Sequence, residues 1–305
     1  MSHVMTTDSR NNKNAIINGD FDIWQRGVSF ASPSGEYTAD RWLVRTVFND
    51  GAATVSRESF TPGQTDVPGE PRHYLRIDQT ESVDSVMINM QQRIEDIRTF
   101  AGQKVMLSLY ARGTPGKVFV VRLRQRFGTG GAPSSIVTKS VGTVTLSADW
   151  QEFKFAVDVP SIAGKTLGTD GNSCLGLEIH EDVVSAFALD IASVKMGSVS
   201  GGNNFIRRTL AEELSLCQRY FRNTGELKLV FSKTTISPYE NISTHPVTMR
   251  ATPTATVNNY VDLDSSGRTI SDVSVDKNSI NGLSMSGSVS AGSRFRFDVD
   301  LDAEL

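Results

Sequence analysis

Apolar side chains recur at every second position in one short run after another along this chain. Val105, Leu107 and Leu109 form one such row; Phe119, Val121 and Leu123, then Phe153, Phe155 and Val157, then Leu175, Leu177 and Ile179 form others. A period of two places alternate side chains on opposite faces of a strand, so each run has one buried and one wet face. Strand-like runs fall at 15–24, 40–48, 53–59, 73–78, 86–90, 105–111, 118–126, 141–146, 151–158, 175–180 and 187–196, with turn residues between them. Many short strands at this spacing predict an antiparallel β-sandwich. Residues 91–98 stand apart, because Ile94 and Ile97 suggest a short helical turn.

The period changes after the breaker Gly201-Gly202-Asn203-Asn204. Ile206, Leu210, Leu214, Cys217 and Phe221 then recur at helical steps, which predicts a helix over 203–223 with one buried stripe. Beyond Gly225 strand chemistry returns, at 227–231, 247–250, 254–260, 284–289 and 294–301. The expected organisation is a flexible arm at 1–13, a sandwich domain at 14–200, a connecting helix within 201–224 and a small β domain at 225–305. A second apolar shoulder on the helix, at Leu216 and Tyr220, and a C-terminal domain too small for a large core suggest a homotrimer. Its shared axis would cover Phe295, Phe297 and Val299.

Composition removes several classes. At 305 residues the chain has room for two domains, and 38% hydrophobic with 21% charged residues is too apolar for a disordered polymer. No run approaches about 18 apolar residues, so no membrane insertion is expected. The first 14 residues lack the apolar stretch of a signal peptide. Lys and Arg number 31 against 34 Asp and Glu, and a pI near 5.9 gives no basic footprint for nucleic acid. Cys174 and Cys217 are too far apart for a CxxC motif, and four scattered histidines cannot form an all-His metal site. Buried free thiols are the expectation for both cysteines.

Several phrases, read in order, carry a family resemblance. Asn18-Gly19-Asp20-Phe21-Asp22-Ile23-Trp24-Gln25-Arg26-Gly27, followed by Tyr37-Thr38-Ala39-Asp40-Arg41-Trp42, resembles the opening of phage and prophage tail or fibre proteins. Tyr110-Ala111-Arg112, residues 189–196, residues 212–221 and residues 246–253 are similar to later phrases of the same proteins. The resemblance spans 14–260. It implies an all-β jelly-roll β-sandwich like a carbohydrate-binding module. It also implies a virion location on a host-facing appendage, other virion proteins as neighbours, and host cell-surface glycan as partner. Such modules often carry a structural calcium near the first and last strands, which points to Asp20 and Asp190.

The wet faces supply the candidate site. If Phe119, Val121 and Leu123 point inward, Arg122, Arg124 and Arg126 stand in a row on the other side, and Glu178 and His180 obey the same rule on a later strand. Arginine donates in a planar fork and carboxylates accept from sugar hydroxyls, so this face could hold an anionic or hydroxyl-rich polysaccharide. A solvated strand surface with cross-strand ion pairs is the simpler reading of the same residues. Among aromatics that could stack on a sugar ring, Trp24, Trp42, Trp150 and Tyr37 suit a core. Phe127, before the Gly128–Gly131 run, and Tyr110, out of phase with Leu107 and Leu109 and so expected to share the wet face with Arg122 and Arg124, are the expected exposed ones. Catalysis is not expected. Glu178 with Glu181 or Asp182 imitates the carboxyl pair of a glycosidase, but acidic pairs are common on surfaces. Asp262-Leu263-Asp264-Ser265-Ser266-Gly267 imitates an EF-hand start, yet Val273 occupies the position of the bidentate Glu. A capsid or tail decoration protein, and more distantly a polysaccharide-degrading tailspike, are the alternatives.

Overall fold

The structure is a computed structural model that describes residues 14–46, 52–80, 88–181, 185–199, 207–230, 243–264, 267, 269–285 and 293–305. The expected arm at 1–13 lies outside the described residues. The chain divides into two compact units at residue 210.

The first unit is a sandwich of two six-stranded antiparallel sheets. One sheet, A, runs β1 (Ser29–Ala31), β4 (Ala53–Ser59), β5 (His73–Gln79), β12 (Phe187–Ser198), β7 (Lys104–Gly113), β10 (Gln151–Asp158). The other, B, runs β2 (Ser34–Tyr37), β3 (Trp42–Arg45), β6 (Asn89–Glu95), β11 (Cys174–Glu181), β8 (Val118–Arg126), β9 (Val137–Thr145). From β5 onward the chain crosses between sheets at almost every connection. It thereby builds β5-β12-β7-β10 against β6-β11-β8-β9, the strand order of a jelly roll. The alternating rows meet in the middle: Leu107, Leu109, Phe119, Val121, Leu123, Leu175, Leu177, Leu189 and Ile191 are all buried in one cluster.

The phrase at 18–24 is a structural device. Asn18 donates from Nδ2 to the carbonyls of Ile23 (2.8 Å) and Asp40 (3.0 Å) and accepts from the Ile23 amide at 2.9 Å. The Trp42 indole donates to the Asn18 carbonyl at 2.9 Å, so the opening phrase and the Asp40-Arg41-Trp42 phrase are tied together. Gly19 has no room for a side chain, because a Cβ there would lie 2.1 Å from the Val194 carbonyl oxygen.

Residues 91–98 correct one expectation. Most of this segment is the central strand β6, paired with β3 and β11, and a turn begins only after Glu95. Buried Gln92 breaks the apolar row. Its side chain acts as a strand partner, exchanging 2.8 Å hydrogen bonds with the amide and carbonyl of Ile17.

Among the described residues the helix is shorter than its periodicity suggested, and its expected start at 203–206 lies outside them. Helix α1 spans Leu210–Gln218, Leu210 is exposed, and residues 221–223 are instead a strand, β13 (Phe221–Asn223). Pairing with β19 (Arg294–Asp302) satisfies the backbone there, and Tyr220 and Phe221 bury their rings. In the second unit β19 is central, flanked by β13 and β14 (Leu227–Val230) along one edge and β16 (Thr254–Asp262) along the other. A second sheet orders β15 (Ser243–Thr244), β18 (Ser279–Met285) and β17 (Ile270–Val275). Phe295, Phe297, Val299 and Leu301 alternate along β19 and are already buried within a single chain, so the packing reason for expecting a trimer falls away. Tyr220, expected on a free shoulder, is likewise buried.

Candidate functional site

The outer faces of the two sheets differ. Over sheet A, the segment 60–72 folds back so that Val67 is fully buried with Tyr74 and Ala192, and Phe60, Tyr110 and Trp150 pack around them. Over sheet B lies an open cleft of about 720 Å³.

The cleft floor is built by strand register. Glu178 on β11 lies opposite Gln91 on β6 and opposite Arg122 on β8, while Gly176 lies between Arg93 and Arg124 in the next outward row. Arg122, Arg124 and Arg126 alternate with Val121, Leu123 and Gln125 along β8, which turns all three guanidiniums outward. They converge on one carboxylate. Arg122 Nε reaches Glu178 Oε2 at 3.0 Å, and Arg124 Nη1 and Arg126 Nη2 reach Oε1 at 3.3 and 2.8 Å. The Glu178 side chain is 1% exposed, whereas the arginines keep 24–28% of theirs in solvent. Arg45 from β3 and Arg93 from β6 complete the rim, with Leu43 and Asn89 beside them.

Burial alone would push the Glu178 carboxyl up. The hydrogen bond from Arg122 and the charges of Arg124, Arg126 and Arg122 outweigh it and hold the group below its ordinary value. A glycosidase acid needs the opposite shift, so Glu178 is unsuited to donate a proton near neutral pH. Glu181 is also buried, ion-paired with Lys117, and Asp182 lies outside the described residues. The expectation that Glu178 faces water as a sugar-hydroxyl acceptor is therefore corrected: its oxygens hold the arginines.

Other expected site residues lie elsewhere. His180 is buried, with Nδ1 3.0 Å from the Glu181 carbonyl oxygen, and does not line the cleft. Phe127 is 1% exposed, because it continues the inward row of Phe119, Val121 and Leu123. The glycine run beside it is clasped by 168–172, where Gly168 donates to the Phe127 carbonyl at 2.7 Å and Asn172 accepts from the Thr129 amide at 2.8 Å. Tyr110 belongs to sheet A and so cannot share a face with Arg122. It stands opposite Glu152, and burial, then the charge of Glu152 and its hydrogen bond, raise the hydroxyl pKa. Trp24 and Trp42 are in the core, and Arg112 covers the Trp150 ring at 4.9 Å.

The two carboxylates considered for calcium are held by arginine. Asp190 accepts from Arg76 at 2.7 and 2.8 Å and from Arg112 at 2.9 Å. Asp20 pairs with Arg207 at 3.0 Å and accepts from the Ser193 hydroxyl at 2.8 Å. Among the described residues no group of three or more His, Cys, Asp or Glu side chains could hold a metal ion. Asp264 of the EF-hand-like phrase pairs with Arg294.

Asn89, Gln91, Arg93, Leu43 and Arg45 are cleft residues that sequence reasoning missed. The first three alternate with Met90 and Ile94 and could have been found by that period, had Gln92 not interrupted it.

No family model matches the chain, and no curated protein matches it. Among solved structures, the enzymatically active domain of tailspike protein 4 from bacteriophage CBA120 is 15% identical, with a TM-score of 0.38 over 61% of this chain. The chain spans only 21% of that protein's length. The CBM22-2 xylan-binding domain of Paenibacillus barcinonensis Xyn10C is 14% identical, covering 55% of this chain and 98% of its own, with a TM-score of 0.35. A family 11 carbohydrate-binding module from Clostridium thermocellum, in complex with a β-1,3-1,4-mixed-linked tetrasaccharide, is 10% identical (TM-score 0.34, 56% of this chain and 96% of that one). At these values the jelly roll rests on the strand order given above.

Proposed function

We propose that this chain is a non-enzymatic glycan-binding protein whose sugar surface is the outer face of sheet B, and that it serves on a virion appendage facing the host cell. One observation carries the glycan reading. An open cleft lies over a rigid sheet, lined by amide and guanidinium groups that can donate to and accept from sugar oxygens, and a buried carboxylate fixes three of the arginines from below. Fixed donors lose little freedom on binding, which favours affinity. The virion setting is supported by the tail-fibre phrases alone. Weak single-site affinity would be compensated by many copies on one particle, and a single chain supplies the cleft-lining side chains described above.

A glycan array probed with the full chain tests the reading. Binding to at least one polysaccharide is expected, together with its loss in Gly176→Leu, which fills the cleft floor where a Cβ meets its nearest atoms at an ordinary 3.6–3.9 Å. Binding to no member, or undiminished binding by the filled variant, would reject it.

A further inference from the structure

We infer that the cleft selects acidic polysaccharides, with sugar carboxylates seated among its arginines; the inference rests on the glycan reading of this face and narrows it. Among the described residues, five guanidiniums line the cleft, from Arg45, Arg93, Arg122, Arg124 and Arg126, against one lining carboxylate, Glu178, and of the five Arg93 already donates to an oxygen of Leu305 and to Gln91. The Glu178 carboxylate is 1% exposed and lies beneath the arginines, so a ligand meets the positive ends and not the negative one.

The surplus is structured. Arg124 and Arg126 each grip Glu178 through one terminal nitrogen, Nη1 and Nη2 respectively. The other terminal nitrogen of each is not needed for that bond. Their Nε atoms are buried without an acceptor and out of a ligand's reach, so a ligand meets the terminal nitrogens. Along β8 the three arginines fall at every second residue, with Cα atoms about 7 Å apart, and their guanidiniums converge over Glu178 into one compact positive patch. A sugar carboxylate offers the complementary charge to such a patch, a polymer carrying one on each repeating sugar presents it many times over, and Arg–carboxylate bonds are charge-assisted and planar.

The lining also lacks what a neutral sugar needs. Among the described residues it contains no aromatic ring, and its one large apolar side chain is Leu43. Ring stacking, which gives apolar sugar faces their contact area, has no platform here. The same absence argues against single-stranded nucleic acid, whose bases stack on aromatics, as does a whole-chain charge of −3.

Titration calorimetry of the full chain with sodium alginate and with polygalacturonate, each beside its carboxyl-reduced neutral form, decides the matter. Binding to at least one acidic polymer is expected, weakened at least tenfold by carboxyl reduction and again by 0.5 M NaCl. Arg45→Glu, at the exposed rim and outside the Glu178 cluster, should lower the affinity at least threefold with an unchanged melting temperature. Arg122→Gln should lower it too, and Arg45→Glu keeps the test valid if Arg122→Gln fails to fold. Equal binding of the reduced and acidic forms would overturn the acidic preference while leaving the glycan reading intact. An unaffected Arg45→Glu would overturn the assignment to these arginines. Binding of neither form of either polymer, with a neutral array member bound instead, would overturn this inference alone; no glycan bound anywhere would overturn both. Single-stranded DNA bound as tightly as alginate would also defeat it.

Discussion

Arg126 Nη2 lies 2.8 Å from Oε1 of Glu178, and the two side chains have opposite relations to solvent: the carboxylate is buried and the guanidinium is about one quarter exposed. A buried acid that gathers basic groups at a surface does two jobs here. It neutralises part of the repulsion among Arg122, Arg124 and Arg126, and it fixes where their forks stand.

Removing the acid should therefore cost stability. Glu178→Gln leaves three arginines around a neutral amide, and a loss of about 3 kcal/mol is expected, the low end for breaking a buried pair because the arginines reach water. Urea unfolding of the first unit measures it. A variant as stable as wild type would mean that the cluster contributes nothing net.

The same group sets an acid limb. The folded-state pKa of Glu178 is lowered, so its stabilisation is fully present above the unfolded carboxylate value of about 4.3 and is lost as pH falls through the lower folded value. Melting temperatures between pH 7 and pH 2 should fall more steeply for wild type than for Glu178→Gln. Parallel curves would contradict the assignment.

Phe127→Ala separates a core ring from a sugar platform. With 1% exposure the ring is part of the interior, so truncation should cost about 3–5 kcal/mol. Glycan affinity of the molecules that remain folded should be unchanged. Normal stability with lost binding would restore the exposed-platform reading.

Gly19→Ala tests whether the opening phrase is structural. The added Cβ would lie 2.1 Å from the Val194 carbonyl oxygen, at the point where the Val194 amide donates to the Gly19 carbonyl at 2.9 Å. The backbone must shift to admit it, and a loss of at least about 3 kcal/mol is expected, within the range of overpacking and its lost hydrogen bond. A melting temperature within a degree or two of wild type would show that the phrase has another purpose.

What could be read in advance follows the physics of each signal. The sandwich was legible because rows such as Phe119, Val121 and Leu123 show the period-two pattern wherever one face is buried. The arginine row was legible by the same parity. Phe127 obeyed that parity too, but the adjoining glycines suggested a loop with nothing to cover it; residues 168–172 close over the run from about 40 residues away. Strand β6 was hidden because Gln92 spends its side chain on Ile17 in a row that is otherwise apolar. Arg45 and Arg93 could not be assigned to the site, since only the β3–β6–β11–β8 order brings them beside Arg122. Tyr110 went wrong for the same reason, because parity gives a side of a sheet and not which sheet. The helical steps at 206–221 continued into Phe221, where pairing with β19 prevails over local periodicity.

The most direct test of the glycan face is a crystal structure of the full chain with an oligosaccharide from a polymer it binds. Sugar density over sheet B, within hydrogen-bonding distance of Arg122, Arg124 or Arg126, is the predicted result. Density confined to the covered face of sheet A, or to the unit at 211–304, would contradict it.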